Sequence, residues 1–236
     1  MGNKINLMLG DCLDKMKEIE TKYIDLVLTD PPYGTTQNKW DSVIPFNLMW
    51  KELKRIIKNN GCIVFFAQDK FTIKLIFSNI KAHKYNLIWN KDLTSGYLNA
   101  NRMPLRVHED IAIFYNKQPT YNPQKTIGNK NNPMTNRSYN KHYYTTDHNK
   151  LGNLKHPKSI LNFKAIHTSK RKHPSEKPVA LLEYLIKTYT NENDTVLDFT
   201  MGSGSTGVAA KNLNREFIGI ELDPSYFKIA ENRING

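Results

Sequence analysis

The chain has 236 residues, 39% of them apolar, enough for one large domain or for one domain carrying a small insertion. Its 34 basic and 22 acidic side chains leave a formal net charge of +12, a balance that favours a polyanionic partner. Cys12 and Cys62 stand in no metal-ligand spacing and no apolar run is long enough for a signal core or a bilayer span, which argues against a zinc site, a disulfide framework and a membrane protein and fits a reducing, cytoplasmic setting.

Along the chain, short apolar runs alternate with longer stretches of helical period. Strands are expected over 5–9, 24–29, 62–67, 85–89, 110–115, 195–199 and 217–221, which are rich in β-branched or aromatic residues and mostly bounded by Gly, Asp, Asn or Lys. Helices are expected over 45–58, 69–80, 178–190, 205–212 and 224–233. This alternation predicts an α/β fold, a seven-stranded, mostly parallel sheet with helices on both faces.

The second strand runs into "TDPPYG", residues 29–34. Ligands of α/β sheets sit outside the carboxyl ends of the strands, so Asp30 faces the ligand edge. Pro31 and Pro32 fix φ and offer no N–H, which leaves a side-chain carboxylate and a rigid carbonyl as two convergent acceptors. An amino group with two hydrogens is their natural partner, and Tyr33 adds a ring that can stack on a flat heterocycle. Further on, Trp89 and Lys91 close a strand end, Trp89 as core and Lys91 toward the same cleft. His108 and Glu109 enter the strand at 110–115, where a structural role is the ordinary one.

Residues 117–173 break the rhythm. They hold twelve Lys or Arg and one acidic residue, Asp147, so +11 of the net charge lies here, interleaved with Tyr121, Tyr139, Tyr143, Tyr144 and Phe163. Apolar periodicity is weak. Such a stretch inside a folded domain is either functional or disordered.

The sixth strand and its flanks read "VLDFTMGSGSTGVAAKNL", residues 196–213, as strand, glycine turn and helix. Gly202 and Gly204 permit a tight turn and close backbone approach to a ligand. Glu221 ends the next strand 17 residues beyond Gly204, where a carboxylate can accept from two ribose hydroxyls. No Gly-Lys-Ser/Thr follows, so a P-loop is excluded. The spacing Gly202, Gly204, Gly207 also suits a dinucleotide-binding oxidoreductase, which stays open beside a non-catalytic nucleic-acid binder.

"DPPY" at 30–33 and "DFTMGSGST" at 198–206 together resemble the two signature motifs of S-adenosylmethionine-dependent DNA amino-methyltransferases. Their order, with the catalytic motif first, the basic insertion next and the cofactor motif last, resembles the β arrangement of the N6-adenine and N4-cytosine enzymes. "LMLGDCLDKM" at 7–16 and "KHPSEKPVALLEYLI" at 172–186 resemble two further cofactor segments, and the place of His108 and Glu109 resembles a segment near the flipped-base pocket.

The resemblance implies a circularly rearranged, Rossmann-like sheet with S-adenosylmethionine as cofactor. It implies transfer to the N6 of adenine in a flipped-out base, with N4-cytosine or RNA amino-methylation as alternatives. Residues 1–116 and 172–236 would form two halves of one catalytic domain, and residues 117–171 a target-recognition insertion for double-stranded DNA. The catalytic residues would be Asp30, Pro31, Pro32 and Tyr33. Cofactor contacts would come from Asp11, Cys12 and Asp30 in the first half. In the second half they would come from Lys177, Asp198, Phe199, Gly202, Ser203, Gly204, Thr206, Glu221 and Leu222, with Lys177 at the cofactor carboxylate. DNA contacts would come from Lys125, Lys130, Arg137, Lys141, Tyr143, Lys155 and Lys158. No metal is required. A homodimer and a cognate restriction endonuclease both remain open as partners.

Overall fold

The central strand β3 (Ile57–Ala67) shows why the sheet is covered on both sides. Cys62, Val64 and Phe66 project into one apolar cluster, and Ile63, Phe65 and Ala67 into the other. That is the period of two expected of a pleated strand. A strand apolar on both faces is stable only where helices cover both. In this computed structural model, residues 4–34, 42–129, 153–167, 169, 171–173 and 175–236 are described.

The other elements of the main sheet are β1 (Ile5–Leu9), β2 (Ile24–Thr29), β4 (His83–Ser95), β5 (Arg106–Phe114), β8 (Ile160–Asn162), β9 (Thr195–Asp198) and β10 (Glu216–Glu221). Their order across the sheet is β1-β10-β9-β2-β3-β5-β4-β8. All neighbours pair in parallel except β5, which runs antiparallel to both β3 and β4. The helices are α1 (Cys12–Lys15), α2 (Phe46–Ile56), α3 (Asp69–Ser78), α4 (Val179–Tyr189), α5 (Ser205–Asn212) and α6 (Pro224–Asn235). Trp50 and Leu53 of α2 and Phe71 of α3 fill one cluster with Phe65, Phe114 and Phe199. Leu181 and Leu185 of α4, Ala209 of α5 and Ile234 of α6 fill the other with Val64, Phe66 and Phe217.

The sheet has eight strands, not the seven expected. The additional strand, β8, pairs with β4 from Ile88↔Ile160 to Asn90↔Asn162. Only Leu161 of its three side chains is buried, so a short edge strand among basic residues leaves no readable alternation. β4 likewise runs past the expected end at 89, through Asn90, Lys91 and Asp92. β5 pairs with this extension at Asn90 and again at Ser95, with an irregularity between them that takes Asp92 into the left-handed region.

The chain divides into two compact units, 1–122 with 159–236, and 123–158. In the smaller unit β6 (Thr126–Ile127) pairs antiparallel with β7 (Leu154–Lys155), and Gly128 N donates to the Asn153 carbonyl at 2.8 Å. Lys125 and Lys158 are exposed there and Lys155 is half-buried. Lys130, Arg137, Lys141 and Tyr143 lie outside the described residues. Residues 159–171 belong to the larger unit, not the smaller one.

Candidate active site

β9 and β2 are neighbours at the middle of the sheet. From β9 the chain passes through α5 to β10 on one side, and from β2 through α2 to β3 on the other. This is a topological switch point, where the crossovers diverge and leave a crevice above the carboxyl strand ends. Four acidic residues stand at those ends: Asp11 after β1, Asp30 after β2, Asp198 on β9 and Glu221 on β10.

The two motifs, almost 170 positions apart in the chain, are bonded to each other. Thr29 Oγ1 donates to Asp198 Oδ1 at 2.8 Å and lies 2.7 Å from Thr200 Oγ1. Thr200 Oγ1 donates to the Asp30 carbonyl at 3.2 Å. Asp198 also accepts from Thr206 Oγ1 at 2.6 Å and from Thr200 N at 3.2 Å. Burial pushes its carboxyl up to about 6, against the pull of the Thr206 and Thr29 hydroxyls. A buried carboxylate surrounded by donors organises a turn well, because each bond replaces water it has lost.

The crevice holds a cavity of about 500 Å³, within the range of small-molecule sites. Its walls include Asp11, Cys12, Asp30, Pro31, Pro32, Tyr33, Lys177, Phe199, Gly202, Glu221 and Leu222. Glu221 is fixed in it: Oε2 accepts from Gly202 N at 2.8 Å and Oε1 from Asp223 N at 2.9 Å. Burial raises its carboxyl above the usual range. Asp11 caps α1, its Oδ1 accepting from Leu13 N at 2.8 Å. Cys12 is buried, and desolvation followed by the charge of Asp11 pushes its thiol up to about 12. At neutral pH it is a thiol, not a nucleophilic thiolate.

At the other end of the cavity charges gather around Asp30. Lys177 Nζ donates to Asp30 Oδ2 at 2.5 Å and lies 3.3 Å from Glu109 Oε2. Tyr33 Oη donates to Asp30 Oδ1 at 2.5 Å. Lys91 Nζ donates to Glu109 Oε1 at 3.0 Å. Burial raises the Asp30 carboxyl above its ordinary value, with Lys177 opposing and Glu109 adding to the rise. Burial alone would lower Lys177, but Asp30 and Glu109 outweigh it and hold its ammonium above the usual range. The Tyr33 ring packs on Phe71 with centroids 4.8 Å apart, and burial pushes its hydroxyl well up.

The expected site residues thus fall into two groups. Asp11, Cys12, Asp30 to Tyr33, Phe199, Gly202, Glu221 and Leu222 meet at the cavity. Asp198, Ser203 and Thr206 lie behind the glycine turn, around a space of about 30 Å³. Gly204 is elsewhere too, against α6: a Cβ there would come 2.9 Å from Ala230 Cβ. Lys177 lines the cavity but pairs with Asp30 and Glu109, because two buried carboxylates compete for its charge.

Sequence reasoning missed several residues at the site. His173 lines the cavity, stacked edge-on to Tyr226 at 4.2 Å, and burial followed by the charge of Lys177 pushes its imidazole down to about 4. Glu176 pairs with Arg233 at 2.7 Å, and Arg233 Nη1 also donates to the Ser203 carbonyl and Ser205 Oγ, so α6 braces the glycine turn. Glu109, for which a structural role at the strand entry is the ordinary expectation beside a resemblance to a segment near the base pocket, lies 3.3 Å from the Lys177 ammonium that pairs with Asp30. None of these contacts has a local signal, since each joins distant segments.

The sequence model of the N6_N4_Mtase family, described as DNA methylase, matches residues 24–232. Type II methyltransferase M.HpaI of Haemophilus parainfluenzae is 30% identical over 244 residues, 97% of this chain and 74% of that protein. DNA adenine methyltransferase YhdJ of Escherichia coli strain K12 is 26% identical over 255 residues, 99% of this chain and 84% of that one. The crystal structure of the M1.HpyAVI–SAM complex superposes with a TM-score of 0.67 at 26% identity, over 98% of this chain and 100% of that chain. Its match extends through both halves of the crevice and nearly the whole sheet, and the chain belongs to the N6/N4 family of DNA methylases.

Proposed function

We propose that the protein transfers a methyl group from S-adenosylmethionine to the exocyclic N6 of an adenine extruded from duplex DNA. The observation that carries this reading is the bonding of Asp30 to the glycine turn through Thr29, Thr200 and Asp198. An amine acceptor and a nucleoside pocket then share one wall.

The residues fit the cofactor. Glu221, held by two backbone amides, presents its carboxylate at one end of the cavity for ribose hydroxyls. Asp11 suits the adenine amine, and the buried Phe199 and exposed Leu222 supply apolar walls. S-adenosylmethionine, when bound, supplies a methyl carbon on a positively charged sulfur. Asp198 and Thr206 act through the turn and not on the ligand.

Asp30 and the Pro31 carbonyl accept the two amine hydrogens and so aim the nitrogen lone pair at the methyl carbon. Glu221, Asp11 and Phe199 would hold S-adenosylmethionine as its methyl passes to that nitrogen and the electron pair of the broken C–S bond stays on a neutral sulfur. Positive charge growing on nitrogen is stabilised by the fixed Asp30 carboxylate, and one proton then departs from nitrogen past it. Holding two reactants in line provides much of the rate. No covalent adduct is needed, in keeping with the neutral thiol of Cys12. Extrusion of the base costs a few kcal/mol, of which stacking on Tyr33 returns about 1–3.

Adenine is favoured over cytosine by family resemblance, in which Asp rather than Ser ahead of the two prolines goes with adenine, and because the related YhdJ is named a DNA adenine methyltransferase. The target-recognition insertion, expected over 117–171, narrows to the smaller unit, residues 123–158, with phosphate contacts from Lys125, Lys155 and Lys158. Incubating the protein with labelled S-adenosylmethionine and mixed-sequence DNA, then digesting to nucleosides for mass spectrometry, is expected to yield N6-methyladenine. N4-methylcytosine would overturn the base assignment, and no labelled nucleoside the reaction itself. Lys155→Ala and Lys158→Ala are each expected to flatten the slope of log affinity against log salt by about 1, since each contact releases about one counterion. An unchanged slope would remove that lysine from the interface.

A further inference from the structure

Glu109 is a charged group of the site that methyl transfer, as described, leaves unused. It lies on β5, opposite Trp89 of β4. Its Oε1 accepts from Lys91, but its Oε2 is buried and, alone among buried side-chain oxygens of the described residues, receives no well-directed hydrogen bond. Lys177 Nζ stands 3.3 Å from that oxygen while donating to Asp30 Oδ2 at 2.5 Å. Beneath the same ammonium lie the rings of Phe66 at 5.0 Å and Trp89 at 6.0 Å. Aromatic faces attract a cation without dictating its direction, so a small displacement of the ammonium is cheap.

Asp30 meets the substrate with both oxygens engaged, Oδ1 by Tyr33 and Oδ2 by Lys177. A neutral amine competes poorly with an ammonium for a carboxylate oxygen, because charge-assisted bonds are about twice as strong. Moving Lys177 away would ordinarily strand a buried cation. A second carboxylate already waiting on its far side removes that penalty. We propose that Glu109 is a positioning residue, the acceptor onto which the Lys177 ammonium withdraws as the amine enters, releasing Asp30 Oδ2. This rests on the reading that Asp30 accepts the amine hydrogens.

The charges nearby suit such an exchange. Lys91 on β4 and Lys177 before α4 balance Glu109 and Asp30, and His173, near Lys177, stays neutral. Asp110 on β5 is engaged by Thr72 Oγ1, and Asp198 on β9 by its hydroxyl donors. Burial raises the Glu109 carboxyl, but Lys177 and Lys91 outweigh it and keep it ionised.

The test is Glu109→Gln, which keeps the shape and removes the charge. Turnover is expected to fall about tenfold or more, while calorimetry finds S-adenosylmethionine affinity within about twofold of wild type. The acid limb of the kcat profile should move to lower pH, because a negative charge that makes Asp30 harder to ionise has gone. Glu109→Asp keeps the charge but draws it back from Lys177. It should return the limb toward its wild-type position with turnover still reduced. Wild-type turnover in either variant, or reduced turnover with an unmoved limb in Glu109→Gln, would overturn the role. Should Glu109→Gln fail to fold by circular dichroism, Glu109→Asp decides alone on its turnover. An inactive Asp30→Asn beside a wild-type Glu109→Gln would remove this role only. A fully active Asp30→Asn would remove the reading beneath it.

Discussion

Asp30→Ala is expected to lower methyl transfer by about a hundred- to a thousandfold or more while calorimetry still detects S-adenosylmethionine binding. That magnitude is typical of removing a preorganised group that meets developing charge. Cofactor binding should survive because the opposite end of the cavity is built separately, on Glu221, Gly202 and Asp11. The fold should survive because Lys177 keeps Glu109 as a counter-ion at 3.3 Å. Tyr33 provides an internal scale. Tyr33→Phe keeps the ring and loses the hydroxyl that donates to Asp30 Oδ1, and should cost less than Tyr33→Ala, which loses both. The pH dependence has a definite sign. In the proposed transfer Asp30 acts as the carboxylate, and burial holds its carboxyl above the ordinary value. Activity should therefore fall, as pH decreases, through a midpoint higher than that of an exposed Asp. Near-wild-type transfer by Asp30→Ala would end the assignment.

Both ends of this site could be located from the sequence for the same reason. A parallel strand buried on both faces announces itself as a β-branched run, and its first polar residue must stand at the ligand edge. β2 ending in Thr29-Asp30 and β10 ending in Glu221 are such cases. Asp198 illustrates the limit. Its place at a strand end was legible, but its burial behind Thr29, Thr200 and Thr206 depends on partners that no local pattern reveals. Lys177 was tied to the cofactor, yet two carboxylates from β5 and the β2 loop determine its partners. For Glu109 a likeness to a segment near the base pocket is legible, but nothing in "RVHEDI" says that Lys91 and Lys177 converge on it. β8 was lost in basic sequence, since one buried leucine among three residues carries no periodicity. Long-range pairing of charges, and edge strands held by backbone bonds, are the features that local propensity cannot encode.

Gly204→Ala is expected to disable the cofactor end of the site more than Gly202→Ala, although Gly202 is the glycine at the cavity wall. Both have left-handed backbones, with φ of +78° and +52°. A side chain there costs about 1–2 kcal/mol in either case. The difference lies in what a Cβ would meet. At Gly202 it finds only the His173 ring at 3.5 Å, an ordinary contact. At Gly204 it would lie 2.9 Å from Ala230 Cβ and Ile234 Cδ1 and 3.0 Å from Ala230 Cα, where α6 cannot yield without leaving the sheet. Overpacking of that kind adds about 1–3 kcal/mol. Relief by lifting the turn would pull Gly202 N from Glu221 Oε2 and disturb the bonds of Arg233 to Ser203 and Ser205, so strain at α6 is transmitted to the Glu221 carboxylate. Gly204→Ala should thus lower the melting temperature by roughly 5–10 °C. It should also weaken S-adenosylmethionine binding by about tenfold or more, equivalent to about 1.4 kcal/mol. Gly202→Ala should show a smaller melting shift. If Gly204→Ala melts and binds cofactor like wild type, the turn is not set by its approach to α6, and the bracing by Arg233 must carry the loop alone.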